Sequence, residues 1–160
     1  MKTALRKLKI FLSLGSKRKK QLLEAFILLG WARLLKLMPF NKIAPSLGDH
    51  MEETSFELND QTKETLCNIS WAIHTMSRYT VWESQCLVRA IAGMKMLKRR
   101  NIESTLYLGT GKDETGRMIA HAWLRSGSYY VSGAEGMEKF TVVGKFANKL
   151  PQVKLSSGHR

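Results

Sequence analysis

The sequence predicts an α+β fold: N-terminal helices first, then a helix packed on a small antiparallel sheet. Three observations carry this expectation. Apolar residues recur every three to four positions up to about residue 100, as on one face of a helix. After Ile102 the pattern changes to short strand-like runs separated by turns rich in Gly, Ser and Asp. Helices followed by strands, rather than the two in alternation, belong to α+β domains. At 160 residues with 44% apolar content, the chain has enough material for one domain with its own core.

Residues 21–38 (QLLEAFILLGWARLLKLM) place Leu22, Phe26, Leu29, Ala32 and Leu35 on one helical face. Glu24, Arg33 and Lys36 interrupt the run, which therefore falls short of the roughly 18 to 20 apolar residues that cross a bilayer. Pro39 and Pro45 are expected to end the helix. Two roles fit it: a packing helix, or an interfacial helix collared by Lys17, Arg18, Lys19 and Lys20. Residues 46–60 are polar and read as a linker or surface loop. Helical spacing resumes over 61–77 through Leu66, Ile69, Ile73 and Met76, with His74 expected as a structural or surface residue. Residues 84–100 (SQCLVRAIAGMKMLKRR) give the clearest helix. Ser84 is its expected N-cap, Leu87, Ile91, Met94 and Leu97 its buried stripe, and Lys98, Arg99 and Arg100 suit the negative end of its dipole. Strands are expected at 105–109, 118–124, 129–132 and 140–146, forming an antiparallel meander.

The net charge of +13 is unevenly spread. Residues 1–48 carry eleven Lys/Arg against one acid, whereas residues 49–100 carry seven of each. The chain is therefore divided into a basic amphipathic helical region, 1–48, and a second region, 49–160. The basic block suits a solvated face, an anionic membrane surface or an acidic partner. Nucleic acid is not expected, because the basic residues are not interleaved with aromatics and no nucleic-acid motif is present. Two cysteines, Cys67 and Cys86, make neither a disulfide scaffold nor a zinc pattern. No metal or cofactor motif is found, and the start of the chain does not read as a secretory signal. The expected location is the cytoplasm, with membrane association through the basic helices.

Cys86 falls in the first turn of its helix. Unpaired N–H groups and the positive end of the macrodipole favour a thiolate there, and can stabilise the oxyanion of a tetrahedral intermediate. His121 lies 35 positions later on a strand, between Ala120 and Ala122. Alternation puts it on one face with Ile119 and Trp123. If that face packs on the Cys86 helix, the imidazole reaches the sulfur and serves as general base, then general acid. Gln85 is a candidate oxyanion donor or a surface residue, while Trp82 and Trp123 line a groove or pack in the core.

The runs YTVWESQCLVRAIAGMKMLKRRNIESTLYLGTG, AHAWL, YYVSGAEG and FTVVGKF together resemble the transglutaminase-like leader peptidases of lasso-peptide biosynthesis. These are split-type maturation proteases of the papain-like cysteine protease superfamily. The resemblance implies a transglutaminase-like cysteine protease domain over 49–160, with Cys86 as nucleophile and His121 as base. It implies removal of the leader peptide from a ribosomally made precursor, a small recognition protein that holds the leader, and a lasso cyclase that closes the ring. The family pattern also has an Asp about a dozen residues after the histidine. Gly133 stands at roughly that position, so Glu135 becomes the candidate third catalytic residue, with Ser132 or a backbone carbonyl as alternatives. The same dyad suits an acyltransferase or transglutaminase, and a non-catalytic adaptor is the reading without chemistry.

Overall fold

The computed structural model describes residues 13–82 and 85–151. Residues 1–12 of the basic region, the expected cap Ser84 and the end of the chain lie outside the described residues. The elements are α1 (Ser16–Leu35), α2 (Phe40–Leu47), β1 (Asp49–His50), α3 (Asp60–Ser77), α4 (Cys86–Lys98), β2 (Ser104–Lys112), β3 (Met118–Ser126), β4 (Tyr129–Ser132) and β5 (Thr141–Asn148). A 3-10 turn (Met137–Lys139) precedes β5. The fold is α+β, with helices on one face of an antiparallel sheet.

The sheet order is β1-β5-β2-β3-β4. Only β2, β3 and β4 form a meander. Instead of extending it beyond β4, β5 returns to the other edge of β2, and β1 pairs with β5. Two further expectations are corrected. The first helix does end ahead of Pro39, at Leu35, but Pro45 does not end helical structure: Pro39 is the N-cap of a second helix, α2, and Pro45 lies inside it. The fixed φ of proline suits a helix start, and buried Ile43 and Leu47 hold this short helix against the core despite Pro45. Residues 46–60 are not a free linker either. They finish α2, form β1, and run across the sheet face opposite the helices.

That crossing is organised by Arg125, which is fully buried. Its Nε donates to Tyr107 Oη at 3.0 Å, and its two terminal nitrogens donate to the carbonyls of Thr54, Ser55 and Gly127. The Phe56 ring covers the guanidinium at 3.5 Å. Every hydrogen-bond partner is a backbone carbonyl or a hydroxyl, so the buried charge is distributed over well-placed acceptors.

On the helix side, the core joins Leu22, Ala25 and Leu29 of α1, Ile69 and Ile73 of α3, and Val88, Ile91 and Leu97 of α4 to Leu106, Ala122, Leu124, Val131 and Phe146 of the sheet. Helix α1 therefore shares one core with the sheet. Gly93, in the middle of α4, lets the helix sit close: a Cβ there would lie 2.8 Å from Leu124 Cδ2 and 3.0 Å from Ile73 Cδ1. Glu24 of α1 ties down the end of α4, accepting from Arg100 at 2.6 and 3.1 Å and pairing with Arg99 at 3.0 Å. The outward side of α1 stays apolar, with Leu23, Ile27 and Leu34 exposed. No helix among the described residues is long and apolar enough to cross a membrane.

Candidate active site

Cys86 is the first residue of α4, and Gln85 holds the N-cap position. The Gln85 side chain makes no capping bond to this helix, so it satisfies none of the first-turn N–H groups. Cys86 is half-buried and packs against the hydrophobic core. The Gln85 side-chain oxygen accepts from Lys36 Nζ at 2.8 Å, which ties the start of α4 to the end of α1. Trp82 packs on α1, its ring 5.2 Å from that of Phe26 and lying over Gly30. Cys67, in contrast, is exposed in the middle of α3.

His121 does share a face with Trp123, as alternation requires: the two rings stack at 5.8 Å, and Trp123 stacks on Tyr107 at 5.5 Å. This is not the face that packs on α4. The helix side of β3 presents Ala122 and Leu124. The physical reason is volume. A helix drawn close through Gly93 needs small or aliphatic neighbours, and the bulky rings occupy the other side, where Gly109 leaves room for Trp123.

His121 nevertheless reaches the helix side around the margin of the sheet. β4 pairs with β3 only as far as Leu124↔Ser132, so His121 stands on a bare edge. There it lines a hollow of about 180 Å³ with His74 of α3, Arg89 of α4, Tyr130 and residues 132–135. Arg89, the residue of α4 that lines this hollow, is one helical turn from Cys86, a rise of about 4.5 Å; Cys86 itself is not among the lining residues. Among the described residues, no hydrogen bond joins Cys86 to His121.

The His121 ring is held from three directions. Phe140 stacks on it at 4.9 Å, Trp123 flanks it, and Nε2 lies 2.8 Å from the Gly133 carbonyl oxygen. A carbonyl can only accept, so Nε2 carries the proton and Nδ1 is the basic nitrogen of the neutral ring. Glu135 lines the same hollow but makes no hydrogen bond to His121. Ser132 is buried, and its hydroxyl has no partner. Gly133 has φ +74°, and a Cβ there would lie 2.3 Å from the Ala122 carbonyl oxygen. An aspartate cannot be accommodated at this position without moving the backbone. Of the alternatives open in the sequence, the one in hydrogen-bond contact with His121 is a backbone carbonyl.

Residues 34–145, more than half of the chain, match the transglutaminase-like superfamily. The chain belongs to that superfamily. No curated protein and no solved structure matches the chain. The α+β arrangement is consistent with a transglutaminase-like core. Members of the superfamily are generally cysteine-dependent enzymes and include both peptidases and acyltransferases. The matched span contains Cys86, His121 and the whole hollow between α3, α4 and the end of β4.

Sequence reasoning missed two members of this hollow. His74 was expected to be structural or on the surface. Burial first, and the charge of Arg89 second, hold its pKa below the ordinary imidazole value. Arg89 went unremarked, although a lone charged residue one turn after a first-turn cysteine, among apolar neighbours, is a usable signal.

Proposed function

We propose that this chain is a cysteine peptidase that removes the leader from a ribosomally made lasso-peptide precursor. The observation that supports the reading is the placement of His121, with Nε2 on the Gly133 carbonyl, in a hollow also lined by Arg89, one helical turn from Cys86. In this reading Nδ1 takes the proton of the Cys86 thiol, and the thiolate attacks the scissile carbonyl. The first-turn N–H groups of α4 stabilise the oxyanion. The imidazolium then gives its proton to the departing amine, leaving a thioester on Cys86. Water, deprotonated by the same imidazole, hydrolyses the thioester and restores the thiol. Gly133 O orients the ring throughout, and Glu135 stands at the hollow without bonding to it. Contacts between nucleophile and base commonly tighten when substrate binds.

The reading places the enzyme in the cytoplasm. A small recognition protein presents the leader, and a cyclase uses the released α-amine. The basic surface of α1 holds a membrane or a partner. Incubating the protein with a precursor and its recognition protein, followed by mass spectrometry, tests this. The expected products are a leader ending in a free carboxylate and a core with a new α-amine, both absent with Cys86→Ala. A leader joined to an added amine would assign the dyad to acyl transfer instead. An intact precursor would overturn the reading.

A further inference from the structure

Two residues lining the hollow beside His121 carry polar groups that no described residue satisfies. Arg89 Nε is buried without a hydrogen-bond partner, and so is Ser132 Oγ. Ser132 is 3% exposed, so solvent does not replace the missing bond. Among the described residues, no carboxylate lies within ion-pair distance of Arg89. A buried donor without an acceptor is costly, and a guanidinium without a counter-charge more so. Both residues line the same space of about 180 Å³, which is large enough for a short side chain or a chain end.

We infer that Arg89 and Ser132 form a recognition pocket for a carboxylate of the peptide substrate, seated beside the reacting bond. The inference rests on reading this hollow as a peptide-processing site. A guanidinium edge and a hydroxyl offer donors to the two oxygens of one carboxylate, the arrangement in which charge-assisted bonds are strongest. The other titratable groups lining the pocket are His74, His121, Tyr130 and Glu135. Glu135 carries the same sign as the ligand. Its place at the exposed rim keeps it near water and weakens the repulsion. The carboxylate comes from an acidic side chain or from the end of a peptide; both present the same chemistry.

The test uses the full chain as Cys86→Ala, so that binding is read without turnover. Three probes are titrated: N-acetylglutamate α-amide, with a side-chain carboxylate; N-acetylglutamine, with a terminal one; and N-acetylglutamine α-amide, with neither. Calorimetry gives affinity, and nitrogen-15 NMR follows the Arg89 Nε–H. At least one charged probe is expected to bind about tenfold or more tightly than the neutral probe and to shift that resonance. The probe that carries the gain identifies the source of the carboxylate. The gain should vanish in Arg89→Gln and fall severalfold in Ser132→Ala. Arg89→Lys, which keeps the charge but lacks the Nε donor, should retain part of it. Glu135→Gln should tighten charged-probe binding. Equal affinity for the three probes, or a gain that survives Arg89→Gln, overturns the pocket. Charged-probe binding without precursor cleavage by the wild type would instead strike the peptidase reading and leave the pocket standing.

Discussion

Replacing Gly133 by alanine tests whether its carbonyl orients His121, and Gly136 supplies a matched control. Both glycines have φ +74°. A Cβ at Gly136 meets nothing within 4 Å, whereas one at Gly133 lies 2.3 Å from Ala122 O and 3.0 Å from Trp123 Cα. The left-handed backbone alone costs an L-residue about 1–2 kcal/mol, so Gly136→Ala should lose about that much stability. Gly133→Ala adds an overlap with backbone atoms, which relaxes only if residue 133 moves. That movement takes its carbonyl off Nε2 and forfeits a hydrogen bond with a net value of about 0.5–1.5 kcal/mol. Stability is measured by urea unfolding and turnover by precursor cleavage. Gly136→Ala is expected to keep kcat near wild type. Gly133→Ala should lower kcat by about 10- to 100-fold, within the roughly 100- to 10,000-fold range of general acid–base catalysis. Nitrogen-15 NMR of the imidazole should show the Nε2–H tautomer weakened. Wild-type kcat in Gly133→Ala, with the Nε2–H signal unchanged, refutes the reasoning.

Four further outcomes are expected. Cys86→Ala and Cys86→Ser should abolish cleavage with the fold intact by circular dichroism, while the exposed Cys67 tolerates alanine with little change in rate. Glu135→Gln should change kcat by less than about threefold; a loss above tenfold would return the orienting role to Glu135. His74 gives a pH signature. Burial keeps it neutral in the folded state to lower pH than in the unfolded chain. The unfolded chain therefore binds the proton first, so stability should fall as pH drops through the ordinary value of 6.5 and level off below the depressed folded value. Urea midpoints between pH 5 and 8 should lose that slope in His74→Gln. Finally, changing Lys17, Arg18, Lys19 and Lys20 to Gln should weaken binding to anionic vesicles, more at low salt than at high, and unchanged sedimentation would mark the block as a solubilising face.

Much of the architecture was legible from period alone. Leu66, Ile69 and Ile73 fixed α3, and the run after Cys86 fixed α4, because a single buried stripe repeats strongly over several turns. The central strands were found for the same reason, with edges off by a few residues. Sheet order was not legible, since nothing in residues 133–148 says which edge β5 will take. The short helix α2 was hidden by two prolines, one of which turned out to be a favourable start. Cys86 and His121 stood out through local context. The face of His121 did not, because alternation says which residues share a side and not which side meets the helices. The partner of Nε2 is backbone, and a carbonyl leaves no trace in the identity of a residue. What the sequence did carry was the glycine that such a left-handed turn requires.

Gly93 has a consequence for how changes in this protein would be scored. It touches neither Cys86 nor His121, yet it sets the depth at which α4 rests on β3 and α3. A side chain there has two ways to fit: displace Leu124 and Ile73, or lift the helix. Because α4 is stiff, lifting its middle also carries its tip, and the tip is Cys86. A mutational scan that reads cleavage would then rank Gly93 with the reacting residues. A scan that reads abundance would rank it with ordinary core positions. The gap between the two rankings measures how rigidly the helix transmits a packing error over two turns to the sulfur.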